Sequence, residues 1–283
     1  MHRTLIDCET LAKHLGTPDW RIFDCRFELG KPAWGGTQYW QGHIPGAVYA
    51  HLDRDLSAPI TATSGRHPLP APDALAARCV GWGINAKTQV VTYDQGNGMY
   101  AARLWWLLRW LGHERIAVLD GGLAEWTKVT SRPMSRDVVA LTPHVFVPRQ
   151  RKHWVVSTAE LEPLVAAGLA EQTLCDARGA DRYAGQNETI DPVAGHVPGA
   201  RSMPFPGNLG ADGRFLPPAM LRERWAQKLT DPSRTIMMCG SGVSACHNLL
   251  ALEHAGLAGV RLYAGSWSEW IRDPARPVAT GAE

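Results

Sequence analysis

The chain has no C-x-x-C pair, no grouping of His and Cys at zinc spacing, and no apolar run long enough to cross a bilayer. The first two absences exclude the usual ligand sets of a structural zinc site, and the third excludes a membrane-spanning helix. Net charge is also scarce: 29 basic residues against 27 acidic ones leave +2, too little to mark a nucleic-acid or lipid surface. The N-terminal MHRTLIDCETLAKHLG has no apolar core of signal-peptide length, so a cytoplasmic location is expected, with the six cysteines reduced. No G-x-x-x-x-G-K-[ST] phosphate loop occurs. Small molecules or proteins are the expected partners, with no metal and no organic cofactor.

What is present is enough apolar material for two domains. The 283 residues are 45% apolar and include twelve tryptophans. The chain is also written twice. FDCR (Phe23 to Arg26) followed by GHIPGA (Gly42 to Ala47) returns as CDAR (Cys175 to Arg178) followed by GHVPGA (Gly195 to Ala200). DGGLAEW (Asp120 to Trp126) returns as AGSWSEW (Ala264 to Trp270) in the same order and at nearly the same offset. A tandem duplication follows. The boundaries expected are residues 1–130 for the first domain, 131–156 for a connection rich in Pro, Arg and Val, and 157–283 for the second.

Each copy alternates β-branched runs with helical patterns. RIFDCR, QVVTYD and RIAVLDGG read as buried strands in the first copy, and QTLCDAR, RTIMMC and GVRLYAG in the second. MYAARLWWLLRWLG and VSACHNLLALEHAG read as helices stopped by Gly112 and Gly256, and Ser157 with Glu160 has the form of a capping box. Strand, helix, strand in this order implies an α/β fold with two mostly parallel sheets, helices covering both faces.

Parallel sheets bind ligands beyond the carboxyl ends of their strands. The loops there are DQGNGMYAAR from Asp94 and CGSGVSAC from Cys239, so the copies differ where chemistry is expected. Small residues between Cys239 and a helix starting near Val243 would turn backbone N–H groups toward the sulfur and stabilise negative charge on it. Gly240 and Gly242 permit that approach. The plainer reading, a cysteine that ends a core strand, is weakened by Asp94 at the equivalent position. Ser241 lacks the G-x-S-x-G elbow of a serine nucleophile.

Tandem GHxPGA segments, DAR at a strand end, the loop C-G-S-G-V-[ST] and a closing G-x-W-S-E-W resemble the two-domain rhodanese family of sulfurtransferases over nearly the whole chain. The resemblance implies two tandem rhodanese-like domains, the N-terminal one inactive and the C-terminal one catalytic. It implies that Cys239 takes a sulfane sulfur from a small anionic donor and holds it as a persulfide. The acceptor would be cyanide, a small thiol or a thioredoxin-like protein, and the chain a monomer. Gly240, Gly242, Val243 and Ser244 would shape the donor site and Arg182 would anchor the donor. The neutral loop resembles that of the 3-mercaptopyruvate-using members, whereas thiosulfate users place basic residues after the cysteine. A second anchoring arginine is expected before GHVPGA, where this chain has Ile190 and Asp191. The resemblance further implies a relay of Ser241, His67 and Asp53. A phosphatase on the same fold would need arginine six residues after the cysteine, where Ala245 stands. Arg178, His43 and His196, placed alike in both copies, are expected to be structural. Cys246, inside the helix, is expected to point away from the loop mouth.

Overall fold

The apolar runs of each copy assemble into a five-stranded parallel sheet. In the computed structural model, which describes residues 1–229 and 231–282, the first sheet comprises β1 (Leu5–Ile6), β2 (Trp20–Asp24), β3 (Ala47–Tyr49), β4 (Gln89–Tyr93) and β5 (Ile116–Leu119). The second comprises β6 (Val155–Val156), β7 (Thr173–Asp176), β8 (Arg201–Ser202), β9 (Thr235–Met238) and β10 (Arg261–Tyr263). Their orders are β1-β5-β4-β2-β3 and β6-β10-β9-β7-β8, the same topology twice. Every position of β4, β5, β7 and β9 is buried, so both faces of each sheet are covered.

Two compact units result. One contains Met1–Ala58, Leu69–Arg151 and Ala211–Phe215; the other contains Pro59–Pro68, Lys152–Gly210 and Leu216–Glu283. Most of the expected connection therefore packs with the first unit. His43 bridges to Ser135, and the Arg149 and Arg151 amides donate to Leu111 and Trp110 carbonyls. Ten residues from within the first copy pack with the second unit.

The repeated motifs hold repeated contacts. Buried Asp24 pairs with Arg26 at 2.6 Å, and Asp176 with Arg178 at 2.7 Å. Each guanidinium then donates to the carbonyl of the glycine opening its GHxPGA segment, Gly42 or Gly195, at 2.7 Å. His43 stacks on Tyr39 and His196 on Tyr183, each ring Nδ1 bonded to that tyrosine's carbonyl at 2.9 Å. These residues hold turns to strands, which accounts for their presence in both copies. Helices Ala101–Trp110 and Ser244–His254 follow the central strands. The first is buried at all ten positions, as its apolar sequence requires. Ser157 and Glu160 form the expected capping box on helix Thr158–Ala166.

Candidate active site

In the second sheet, β9 and β7 are neighbours at the point where strand order reverses, so the loops that follow them meet at one end of the sheet. The loop after β9 begins with Cys239, whose residue is 2% exposed. The Gly242 N–H donates to Cys239 Sγ at 3.1 Å. Gly242 has φ +76°, and a Cβ there would stand 2.5 Å from the Ala264 carbonyl oxygen, so the turn admits only glycine. The Cys239 N–H donates to Ser266 Oγ at 3.0 Å, and that hydroxyl donates to the Tyr263 carbonyl. Ser266 holds φ +55°, a conformation costly for a residue with a side chain. The Trp267 and Ser268 amides donate to the carbonyls of Cys239 and Gly240 at 2.9 Å. Cys246 Sγ donates to the Gly242 carbonyl at 3.2 Å, which makes this buried thiol a loop support.

Segment Pro59–Pro68 is fixed to the same unit by its backbone. The Gly65 amide donates to Glu269 Oε2 at 3.2 Å, the Arg66 amide to Ser268 Oγ at 3.0 Å, and Arg272 Nε to the Ser64 carbonyl at 3.0 Å. This docking delivers His67, 4% exposed, to Ser241: Nδ1 and Oγ share a hydrogen bond of 2.7 Å. It also delivers Arg66. A Cβ on Gly240 would stand 3.1 Å from Arg66 Nη2 and 3.6 Å from Arg182 Nη2, so both guanidinium groups flank the cysteine loop.

Neither arginine is a free cation. Arg182 pairs with Glu188 at 2.9 Å and with Asp191 at 3.0 Å, and Arg66 pairs with the other oxygen of Asp191. Arg182, on the short helix Ala180–Tyr183, is therefore shared between two carboxylates. Burial works to raise the pKa of Glu188, but bonds from Arg182 and from the Asp191 and Ile190 amides hold it below the ordinary carboxylate value. Arg178 lies beside them. Burial opposes its charge, yet Asp176, Glu188 and Cys239 together raise its pKa. Among the described residues, no cluster of three or more His, Cys, Asp or Glu could hold a metal ion.

The second unit thus brings together Cys239, Gly240, Ser241, Gly242, Val243, Ser244, His67 and Arg182. Asp53 lies on helix Leu52–Asp55 of the first unit, where its amide donates to His51 Nδ1. Arg66 is the residue that sequence reasoning missed. The signal for it was Asp191: an acid at a position where a base is expected asks for a base from elsewhere.

Residues 7–129 and 157–273 each match the rhodanese-like domain. The chain belongs to the rhodanese-like family. It is 48% identical over 282 residues, 98% of each chain, to the "Probable 3-mercaptopyruvate sulfurtransferase" of Pseudomonas aeruginosa. It is 31% identical to the thiosulfate sulfurtransferase of Cricetulus griseus, covering 96% of this chain and 93% of that one. The crystal structure of SseA, a 3-mercaptopyruvate enzyme of Escherichia coli, superimposes with a TM-score of 0.80 at 29% identity, covering 95% of this chain and all of SseA.

The first rhodanese-like unit has the same loop with its anion built in. Asp94, fully buried after β4, accepts the Gly96 and Gly98 amides on Oδ1 at 3.0 Å and the Tyr100 and Ala101 amides on Oδ2 at 2.9 and 3.3 Å. Burial pushes this carboxyl above the usual carboxylate range while the four amides pull it back. The Leu123 and Ala124 amides clamp the carbonyls of Asp94 and Gln95, the counterpart of the Trp267 and Ser268 clamp. A carboxylate therefore fills the amide cradle here, at the position where the second unit carries the Cys239 thiol.

Proposed function

We propose that the second rhodanese-like unit moves a sulfane sulfur from 3-mercaptopyruvate to a thiophilic acceptor through a persulfide on Cys239. The observation that carries this is the Cys239 sulfur seated against the Gly242 amide, with two arginines flanking the same loop. The thiolate attacks the donor sulfur, the carbon–sulfur bond breaks, and its electron pair leaves as the enolate of pyruvate. The donor's thiol proton ends on the enolate carbon, and the terminal persulfide sulfur carries the negative charge. Cyanide or a thiolate then attacks that sulfur, breaks the S–S bond and restores Cys239. A preformed amide donor stabilises charge on sulfur at the start and end of the cycle without reorganising.

Donor choice follows from the local charges. Arg66, Arg178 and Arg182 are matched by Asp176, Glu188 and Asp191, so the site offers guanidinium forks without net positive charge. Such a site favours a monocarboxylate over dianionic thiosulfate. The name of the Pseudomonas aeruginosa relative supports the same donor. Steady-state transfer to cyanide with both donors tests this. A higher kcat/KM for 3-mercaptopyruvate is expected, and a higher value for thiosulfate contradicts the reading.

The Ser241–His67 pair serves the proton that must reach the enolate, a demand that departing sulfite does not make. His67→Ala is expected to lower kcat for 3-mercaptopyruvate about a hundredfold, in the range of general acid–base catalysis, and to affect thiosulfate far less. Equal losses with both donors would assign His67 a purely structural part. The placement of segment Pro59–Pro68 should matter as well. A Cβ on Gly65 would stand 2.6 Å from the Gly265 carbonyl oxygen, so Gly65→Ala must displace the segment. We expect kcat/KM to fall at least about tenfold, since small misplacements of catalytic groups are costly; an unchanged value would show that the segment's position is immaterial.

A further inference from the structure

We infer that Arg66 is the second donor-anchoring arginine of this chain and that Asp191, bridging Arg66 and Arg182, is the internal counter-ion that the donor's carboxylate displaces. The inference rests on the sulfurtransferase reading above and deepens it. Three observations converge on it. The Arg66 guanidinium reaches the loop: its Nη2 is nearer to the side-chain position of Gly240 than either Nη atom of Arg182. Its Nε is buried without a hydrogen-bond partner, a donor left in place for an acceptor the protein does not supply. One carboxylate, Asp191, spans the two arginines, with Oδ1 on Arg66 and Oδ2 on Arg182. A 2-oxo acid presents the same group to the same two forks.

Arg66 is also reachable from outside. With Asp191, Ile190 and Ser268 it lines a cavity of about 450 Å³. Its backbone is fixed through Ser268, whose own amide holds the Gly240 carbonyl, so the guanidinium and the cysteine loop share one support. Arg66 thus reaches Asp191 from a segment more than a hundred residues earlier in the chain. No net charge is gained, which keeps the pocket selective for a single carboxylate. Freed of Asp191, it would gain a positive charge and accept a dianion more readily.

The test compares the full-length wild-type chain with Arg66→Gln, Arg66→Lys and Asp191→Asn. Two readouts are used: steady-state kinetics with 3-mercaptopyruvate and thiosulfate, and binding of pyruvate, which carries the carboxylate without the sulfur. Arg66→Gln is expected to raise KM for 3-mercaptopyruvate about tenfold or more and to weaken pyruvate binding in proportion, with the larger effect in KM than in kcat. Arg66→Lys restores little of either, because a lysine has no fork. Asp191→Asn lowers KM several-fold, more for thiosulfate than for 3-mercaptopyruvate. If Arg66→Gln leaves KM and pyruvate binding within twofold, or lowers kcat alone, the inference is overturned. The same holds if Asp191→Asn leaves the ratio of the two donors' KM values unchanged. If the wild-type chain transfers no sulfur at all, the sulfurtransferase reading fails, while the pyruvate arm still judges Arg66.

Discussion

Cys239→Ser should lose at least about a thousandfold in sulfur transfer with either donor while keeping the fold. The loss is large because a hydroxyl neither attacks sulfane sulfur nor holds it, and removal of a nucleophile is not made good by the binding groups around it. Serine fits the space, and the Cys239 amide bond to Ser266 does not depend on the side chain. No other thiol is placed to substitute. Burial pushes Cys8 up to about 11 and Cys79 up to about 12, and raises Cys25 as well, so these stay protonated at neutral pH. Cys175 is buried on β7, and Cys246 is engaged with the Gly242 carbonyl. Cyanide-linked assays of both proteins check the expectation. A variant retaining more than about a tenth of wild-type transfer would place the chemistry elsewhere.

Asp94→Ala should destabilise the first unit by about 3–5 kcal/mol. Four backbone N–H groups converge on its carboxylate inside the protein, and alanine leaves them without an acceptor. An unmade buried hydrogen bond costs about 1–3 kcal/mol, and partial relaxation or an entering water recovers some of the total. Asp94→Asn should fall between the two. One oxygen remains for Gly96 and Gly98, while the new NH₂ faces the donors of Tyr100 and Ala101 and repels them. Urea denaturation of the three proteins measures this, read on the transition of the first unit because two units need not unfold together. A change below about 1 kcal/mol would mean that the amides find other partners and that Asp94 is not what holds this loop.

Much of the architecture is legible in the residues because the chain states it twice. Central strands QVVTY, apart from its opening Gln89, and TIMM are β-branched or apolar and end at turn residues, so type and position both follow. The edge strands Leu5–Ile6, Val155–Val156 and Arg201–Ser202 are two residues long, too short to show any period, and exist only through pairing with a neighbour. Cys239 is legible from the loop chemistry and from its replacement by Asp94 in the other copy. Arg66 is not, because nothing in PITATSGRHP sets its position. That position comes from Ser268 and Glu269, some two hundred residues later. The ion pairs that neutralise Arg182 were hidden for the same reason. Glu188 and Asp191 meet the Arg182 guanidinium only because the fold turns their loop onto it.

The most direct test of the central claim is mass analysis of the chain after brief exposure to 3-mercaptopyruvate without acceptor. One added sulfur is expected, assigned to Cys239 by fragmentation of its peptide and removed on addition of cyanide with release of thiocyanate. No added sulfur, or sulfur found on Cys246 or another cysteine instead, would contradict it.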